Sequence, residues 1–226
     1  MRAVTVSPGI GNSVRLEEVG EPRPEDGSVA VRSLALGICG TDHDIVSGAY
    51  GSAPPGEARL VLGHESLGCV EAAPSDSGLV PGDLIVGIVR RPDPLPCPAC
   101  AIGEWDMCRN GRYTERGIKQ RHGYAAERFR IEPEFAVKID RGLGLSGVLV
   151  EPTSIVVKAW DQVDYIGRRS RAFAPQRLLV TGAGPIGLLA ALIGAQRGLE
   201  VHVFNRSAPQ SQNRARPRAR SCLSQR

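Results

Sequence analysis

The stretch from Leu178 to Asn205 constrains this chain more than any other. It reads Leu178-Leu179-Val180-Thr181, then Gly182-Ala183-Gly184-Pro185-Ile186-Gly187, then a Leu- and Ala-rich run to Gln196, then Val201-His202-Val203-Phe204. An apolar run, a tight glycine turn, a helix-forming segment and a second apolar run are the parts of a strand-helix-strand unit. Gly182 permits the turn, Gly184 lets backbone N–H groups approach a pyrophosphate, and Gly187 lets the helix lie close to the strand. The helix, opened by Pro185 and Ile186, adds the partial positive charge of its N-terminus, so the phosphates of a dinucleotide find donors without any side chain. A glycine triplet alone would also suit a flexible turn; the strand-like run before it and the helix-like run after it favour the nucleotide reading.

The residues after the second strand select the cofactor. An acid there would accept hydrogen bonds from a ribose 2′-OH and repel a 2′-phosphate. Asn205 and Arg206 stand there instead, and an amide beside a guanidinium fork can hold a phosphate, which points to NADP with NAD as a second cofactor. The competing reading is that Arg206 only opens a basic tail.

The chain has 226 residues, 42% of them hydrophobic, enough for one good core and part of another. It shows no run of about 18 apolar residues and no basic-then-apolar leader, so a cytoplasmic location and no membrane partner are expected. In such a compartment its 6 cysteines read as ligands or buried thiols rather than disulfides. The net charge of +4 owes much to Arg214, Arg216, Arg218, Arg220 and Arg226. Without them the body is near neutral, which argues against nucleic acid as a partner.

From Met1 to Asp83 the chain is punctuated by Gly and Pro. Short apolar runs lie at Ala3 to Val6, Ser28 to Leu36, Leu60 to Leu62, Leu67 to Ala72 and Leu84 to Val89, with a turn at Val80-Pro81-Gly82-Asp83. This predicts a β-rich barrel or sandwich rather than helices. Within it, Cys39 in Gly37-Ile38-Cys39-Gly40-Thr41-Asp42 and His64-Glu65 after Gly63 offer a thiolate, an imidazole and a carboxylate, a three-ligand set that suits catalytic zinc. A single Cys or His is more often a packed core residue. A zinc that polarises a hydroxyl and a nicotinamide that accepts hydride are, however, the two halves of alcohol oxidation.

These motifs, with Cys97, Cys100 and Cys108, Glu151-Pro152 and the Gly182 to Gly187 turn, occur in the order seen in zinc-dependent medium-chain dehydrogenases/reductases, which the chain resembles from Met1 to about Arg206. Gly117-Ile118, His122-Gly123 and Asn205-Arg206 look most like the glucose 1-dehydrogenase branch. The resemblance implies an α/β plus β fold: a GroES-like β-barrel over residues 1–150, then an incomplete Rossmann domain over 151–206, with the active site between them. It implies zinc on Cys39, His64 and Glu65, and Glu151 as a carboxylate that ligates the zinc or exchanges with its water. Thr41 falls where the family relays the substrate proton, although a turn hydroxyl bonded to backbone would look the same. Asp44 occupies the place of the histidine that often ends this relay, and His43 reads as a surface residue.

The resemblance also implies a structural zinc on Cys97, Cys100 and Cys108. Pro94 occupies the place of the first of four cysteines; Asp93 could supply an oxygen, and a bare loop is the competing reading. Cys69 reads as a buried thiol. Glu115 falls in the loop where the glucose branch meets sugar hydroxyls. The implied activity is oxidation of D-glucose or a related aldose at C1 to the lactone; the alternatives are another polyol or alcohol dehydrogenase of the family, or a relic that only binds zinc. Full-length relatives are expected to be homo-oligomers.

Val148 to Ile166 reads as a helical crossover with Trp160 and Val163 on its apolar face, and Arg168 to Gln176 as a polar connection. Residues 207–226 lack apolar periodicity and are expected to form a disordered basic tail, from a truncated or out-of-register C-terminus rather than a nucleic-acid arm. With only two of about six parallel strands legible, the nucleotide half is expected to expose apolar edges and to be less stable than the barrel half.

Overall fold

Where Gly or Pro interrupts its short apolar runs, this chain breaks into strands. The computed structural model describes residues 1–206; the expected tail at 207–226, with Cys222, lies outside the described residues. The chain begins with β1 (Arg2–Val6), β2 (Arg15–Glu18) and β3 (Val29–Gly37), then α1 (Gly40–Ser47), β4 (Leu60–Val61), β5 (Glu65–Ala72) and β6 (Leu84–Gly87). Next come β7 (Arg90–Arg91), the short α2 (Pro98–Ala101), β8 (Thr114–Arg116), β9 (Gln120–Arg121), β10 (Arg128–Ile131) and β11 (Ala136–Ile139). A 3-10 stretch, Arg141–Leu149, leads into α3 (Val150–Gly167), followed by β12 (Arg177–Thr181), α4 (Pro185–Gln196) and β13 (Glu200–Phe204). Two compact units meet in sequence at Ser154 and Ile155.

The first unit holds three open sheets, in the orders β2-β1-β4, β10-β3-β5-β6-β11 and β7-β8-β9. The closed barrel implied by the sequence is therefore corrected: among the described residues no strand pairing joins the ends of any sheet. The β1 sheet meets the five-stranded sheet through the single Ala3–Ala126 bridge. The β3–β5 ladder shifts register between Ala30 and Val31 and again between Ser33 and Ala35; such bulges bend and twist a sheet, here without bringing β10 to β11.

The expectation of strands alone before Asp83 is also corrected, by α1. Its start is set by Cys39 and Asp42, which cap each other's backbone, and its end by Gly48, left-handed at φ +84°. Gly and Asn favour that conformation because a Cβ is strained there. Cys69, expected to be buried, is half-buried, because it sits on β5 where that strand pairs with Arg32. The turn at Val80–Asp83 is present, closed by Asp83 N–H to the Val80 carbonyl at 3.0 Å.

Two apolar clusters hold this unit. The larger gathers Val29, Val31, Val70, Ile85, Tyr124, Phe129 and Ile131 on the five-stranded sheet. The smaller joins Val6 of β1, Ile45 of α1, Leu60 and Leu62 around β4, and Ile118. Full burial of one such aliphatic side chain stabilises by about 1.5–3 kcal/mol. The smaller cluster thus ties the helix that starts after Cys39 to the strand that ends just before His64.

Backbone crossings reinforce that tie. A Cβ at Gly123 would lie 2.2 Å from the Leu62 carbonyl oxygen, and one at Gly117 would lie 2.4 Å from that of Gly63. Only glycine lets the 113–124 loop press so closely on the segment that carries His64.

In the second unit β12 and β13 pair in parallel from Arg177–Glu200 to Thr181–Phe204. α4 packs on them at Gly194, where a Cβ would come within 2.4 Å of Leu178. Leu179 and Phe204 remain 66% and 63% exposed. A groove of about 640 Å³ runs the length of β12 from Pro175 to Gly182, walled by Val156, Trp160 and Val163 of α3.

One helical stretch, Arg141–Gly167, reaches a mean hydropathy of 1.2 and the length of a membrane span. It is interrupted at Gly144, whose backbone is non-helical, so continuous α-helix is confined to Val150–Gly167 with Glu151, Lys158, Asp161 and Asp164 along it.

Replacing Gly123 by Ala sets a methyl against carbonyl backbone that cannot move aside. Chemical denaturation is expected to show a loss of about 1–3 kcal/mol or more, against a change within about 0.5 kcal/mol for Gly20→Ala, where a Cβ meets nothing within 4 Å.

Candidate functional site

Cys39, His64 and Glu65 come from three different local structures. Cys39 is the N-cap of α1, His64 follows the left-handed Gly63 (φ +90°) after β4, and Glu65 opens β5. Their ligand atoms nevertheless all lie within 4.8 Å of one another. The Cys39 sulfur is 3.0 Å from His64 Nε2 and accepts the Thr41 N–H at 3.3 Å. Glu65 reaches the cluster across Gly37: a Cβ there would lie 1.9 Å from Glu65 Oε2. The glycine before Ile38-Cys39 therefore makes room for the carboxylate.

Asp42 is the functional residue that sequence reasoning missed. It is buried, its Oδ2 accepts the Cys39 N–H at 2.9 Å, and its Oδ1 lies 3.5 Å from His64 Nδ1. Asp42 Oδ1 and His64 Nδ1 have no other partner. This is the carboxylate–histidine pairing that fixes a ligating ring's tautomer and leaves Nε2 to face a cation. Its signal in the sequence was the Cys39-x-x-Asp42 spacing, the reach of a helix cap.

The electrostatics of the cluster are lopsided. Burial works against a charged His64 ring, but the hydrogen bond and charge of Asp42, with Cys39 and Glu151, hold its pKa up at about 9. Glu65 is pushed up by burial and by Asp42, partly offset by His64. Glu151 is raised to about 7, first by burial, then by the nearby Glu65 and Asp42 charges against the pull of His64. Three carboxylates and a sulfur around one imidazole make a donor set that a divalent cation fits, and zinc takes this mixture of S, N and O ligands. Glu151 lies within electrostatic reach of the others but outside the compact ligand group.

Thr41 is half-buried and its hydroxyl makes no hydrogen bond among the described residues, so it is not a turn hydroxyl tied to backbone. His43 and Asp44 are exposed on α1. Glu115 is placed differently from a free sugar acceptor. It is buried on β8, and its Oε1 accepts from the Arg90 guanidinium at 2.8 Å. The Oε1 atom spends itself on an ion pair across the β7–β8 ladder, which leaves Oε2 as the atom a hydroxyl could meet.

Cys97, Cys100 and Cys108 form a second compact group, also within 4.8 Å. Cys97 accepts the Arg109 N–H at 3.4 Å, and backbone donors led by that one lower its thiol to about 6. Burial, with Cys108 and Cys97 beside it, pushes Cys100 up to about 11.

In the second unit the turn and the close helix approach expected of Gly182 and Gly187 are present. Gly182 is left-handed at φ +102°, Gly184 caps α4 with Pro185 at its first turn, and a Cβ at Gly187 would lie 1.9 Å from the Gly182 carbonyl oxygen. The Gly182 N–H bonds Phe204 at 2.8 Å. Asn205 Oδ1 accepts the Ala183 N–H at 3.4 Å, so this amide also braces the glycine turn. Ile186 is half-exposed and Arg206 exposed.

Comparison with known proteins places both units. Residues 25–141 match the family model of the alcohol dehydrogenase GroES-like domain, and residues 144–215 that of the glucose dehydrogenase C-terminus. The chain is 47% identical over 205 residues to a glucose 1-dehydrogenase of Methanocella arvoryzae, covering 90% of this chain and 57% of that relative. It is 41% identical over 202 residues to the glucose 1-dehydrogenase of Thermoproteus tenax, covering 89% of this chain and 56% of that one. The structure of Haloferax mediterranei glucose dehydrogenase in complex with NADP, Zn and gluconolactone superposes with a TM-score of 0.81 at 36% identity, over 92% of this chain and 59% of that one. The chain thus spans less than two thirds of the length of these relatives.

A cation must displace the His64 proton, which the metal-free protein holds up to about pH 9. Apparent affinity should therefore rise about tenfold per pH unit from pH 7 to 9, measured by chelator competition; a flat profile over that range would exclude His64 as a ligand. In the same assay Asp42→Asn is expected to weaken binding about 10- to 100-fold.

Proposed function

We propose, for a chain that belongs to the alcohol dehydrogenase family with a GroES-like domain, a zinc- and NADP-dependent oxidation of D-glucose or a related aldose at C1 to the lactone. The observation that carries this reading is the convergence of Cys39, His64 and Glu65 on one point, in a chain that also carries the Gly182–Gly187 turn. The likeness to glucose 1-dehydrogenases supports the choice of substrate.

Cys39, His64 and Glu65 would hold the zinc, whose chemistry when bound is to lower the pKa of a hydroxyl. NADP supplies the hydride acceptor. The remaining work falls to the chain. Asp42 fixes the His64 ring; the Thr41 hydroxyl, with no competing bond, stands beside Cys39 to pass on the substrate proton. Glu151, at about 7, is matched to receive a proton near neutral pH. Backbone N–H groups at Gly184–Gly187 would meet the pyrophosphate and Arg206 the 2′-phosphate. Asn205, engaged with Ala183, would keep the turn in shape and present no acid to repel that phosphate. The three thiols at Cys97, Cys100 and Cys108 would hold a second, structural zinc. A cytoplasmic location suits this chemistry.

The test is NADPH formation from glucose across a panel of aldoses, polyols and simple alcohols, alongside metal analysis and NADPH fluorescence titration. Glucose should be preferred, with His64→Ala inactive and Glu151→Gln reduced about 10²- to 10⁴-fold in kcat. A preference for a simple alcohol would move the chain to another branch of the family; zinc uptake without NADPH binding would make it a relic. Arg206→Ala should weaken NADP binding at least about tenfold, roughly 1.4 kcal/mol, and leave NAD binding unchanged.

A further inference from the structure

β4 is only 2 residues long, and β1 covers one of its edges, with Thr5 beside Val61 and Val6 beside Leu60. From the other edge Val61 presents its backbone N–H and carbonyl, and His122-Gly123 receives both. The Val61 N–H donates to His122 Nδ1 at 3.2 Å, and the Gly123 N–H donates to the Val61 carbonyl at 2.8 Å. The ring thus stands in for a neighbouring strand at a residue that is 8% exposed, where a backbone N–H left without an acceptor is costly.

That contact fixes the ring's proton. An Nδ1 that accepts from an amide must be bare, so the neutral ring carries its hydrogen on Nε2. Glu57 Oε2 lies 2.9 Å from Nε2 and accepts it. Glu57 is itself held in the preceding turn, its N–H on the Pro54 carbonyl at 3.0 Å. Past His122 the loop continues along the same segment: the Ala125 N–H reaches the Leu62 carbonyl at 2.8 Å, and the Tyr124 N–H reaches that of Gly63 at 2.9 Å. His64 and Glu65 follow directly. With so short a strand behind it, the approach to His64 depends on a handful of bonds, and a segment held by few bonds opens locally at low cost. Among these bonds, only that of His122 Nδ1 comes from a side chain.

We propose that His122 is a positioning residue for the cation cluster: its Nδ1 closes the free edge of β4 at Val61, Glu57 holds the ring in the tautomer this requires, and His64 and Glu65 are thereby set facing Cys39. This rests on the reading that Cys39, His64 and Glu65 bind a dication, and it adds a residue outside that group on which its affinity depends.

The test is cadmium NMR of the full chain during competition with a chelator. A site with one sulfur resonates apart from a site with three, so the Cys39 cluster is followed separately from the loop thiols. Nitrogen NMR of the parent should show His122 with Nδ1 bare and Nε2 protonated. His122→Gln sets its amide at the place of Nε2 and leaves the Val61 N–H unmet. It should speed hydrogen exchange of the Val61 amide at least about tenfold and weaken cadmium at the one-sulfur site about tenfold. His122→Asn keeps an oxygen where Nδ1 stood and should hold both readouts within about twofold of the parent. A general loss of fold would not be rescued in this way. A proton on Nδ1 in the parent, or a Val61 amide as protected in His122→Gln as in the parent, would overturn the edge contact. Faster exchange with unchanged cadmium affinity, or equal weakening in both variants, would overturn the positioning role. A parent with no one-sulfur cadmium resonance would instead overturn the metal reading beneath it.

Discussion

A buried imidazole facing a sulfur and three carboxylates is the constraint on which the rest of this structure depends. Against the pull of burial, Asp42 with Cys39 and Glu151 holds the His64 pKa up at about 9, while burial first and neighbouring carboxylates after it push Glu65 and Glu151 up, so without a cation the cluster must hold extra protons. Buried charge of one sign is costly unless it is paired or coordinates a metal. Metal uptake would therefore replace protons at a site that the fold has already assembled, and binding free energy would become folding free energy for the segments involved.

Those segments are held by small pieces of core rather than by long regular elements. Ile45 anchors α1 on Val6, Leu60 and Leu62, and so fixes the helix start at Cys39 and the strand end before His64 together. Gly37, Gly117 and Gly123 then set how closely neighbouring chain can approach: the first admits the Glu65 carboxylate, the others admit the 113–124 loop. Each would cost little to change in isolation on a surface, but here a methyl group would meet a carboxylate or a carbonyl. The second unit repeats the logic, with Gly187 set against the Gly182 carbonyl.

Much of this was legible in the sequence because it depends on local rules. The strand-turn-helix-strand over Leu178–Phe204 follows from apolar runs and glycine spacing, and Cys39, His64 and Glu65 could be named from residue type. Asp42 could not, since its role arises from reaching a histidine beyond β4, a contact that no local spacing encodes; only its capping position was visible. The closed barrel failed because sheet closure depends on bulges and pairings between distant strands, such as the register shifts near Val31 and Ala35. The ion pair of Glu115 was hidden for a similar reason: its partner Arg90 lies 25 residues back, across a ladder that the sequence pattern did not reveal.

The most direct test of the central claim is an anomalous difference map at the zinc edge from crystals of this chain grown with zinc. The account predicts a peak about 2.3 Å from Cys39 Sγ and about 2.0–2.2 Å from His64 Nε2 and a Glu65 oxygen, with His64 Nδ1 turned to Asp42. A map with no peak among these three residues, or with the His64 ring turned so that Nδ1 faces Cys39, would contradict it.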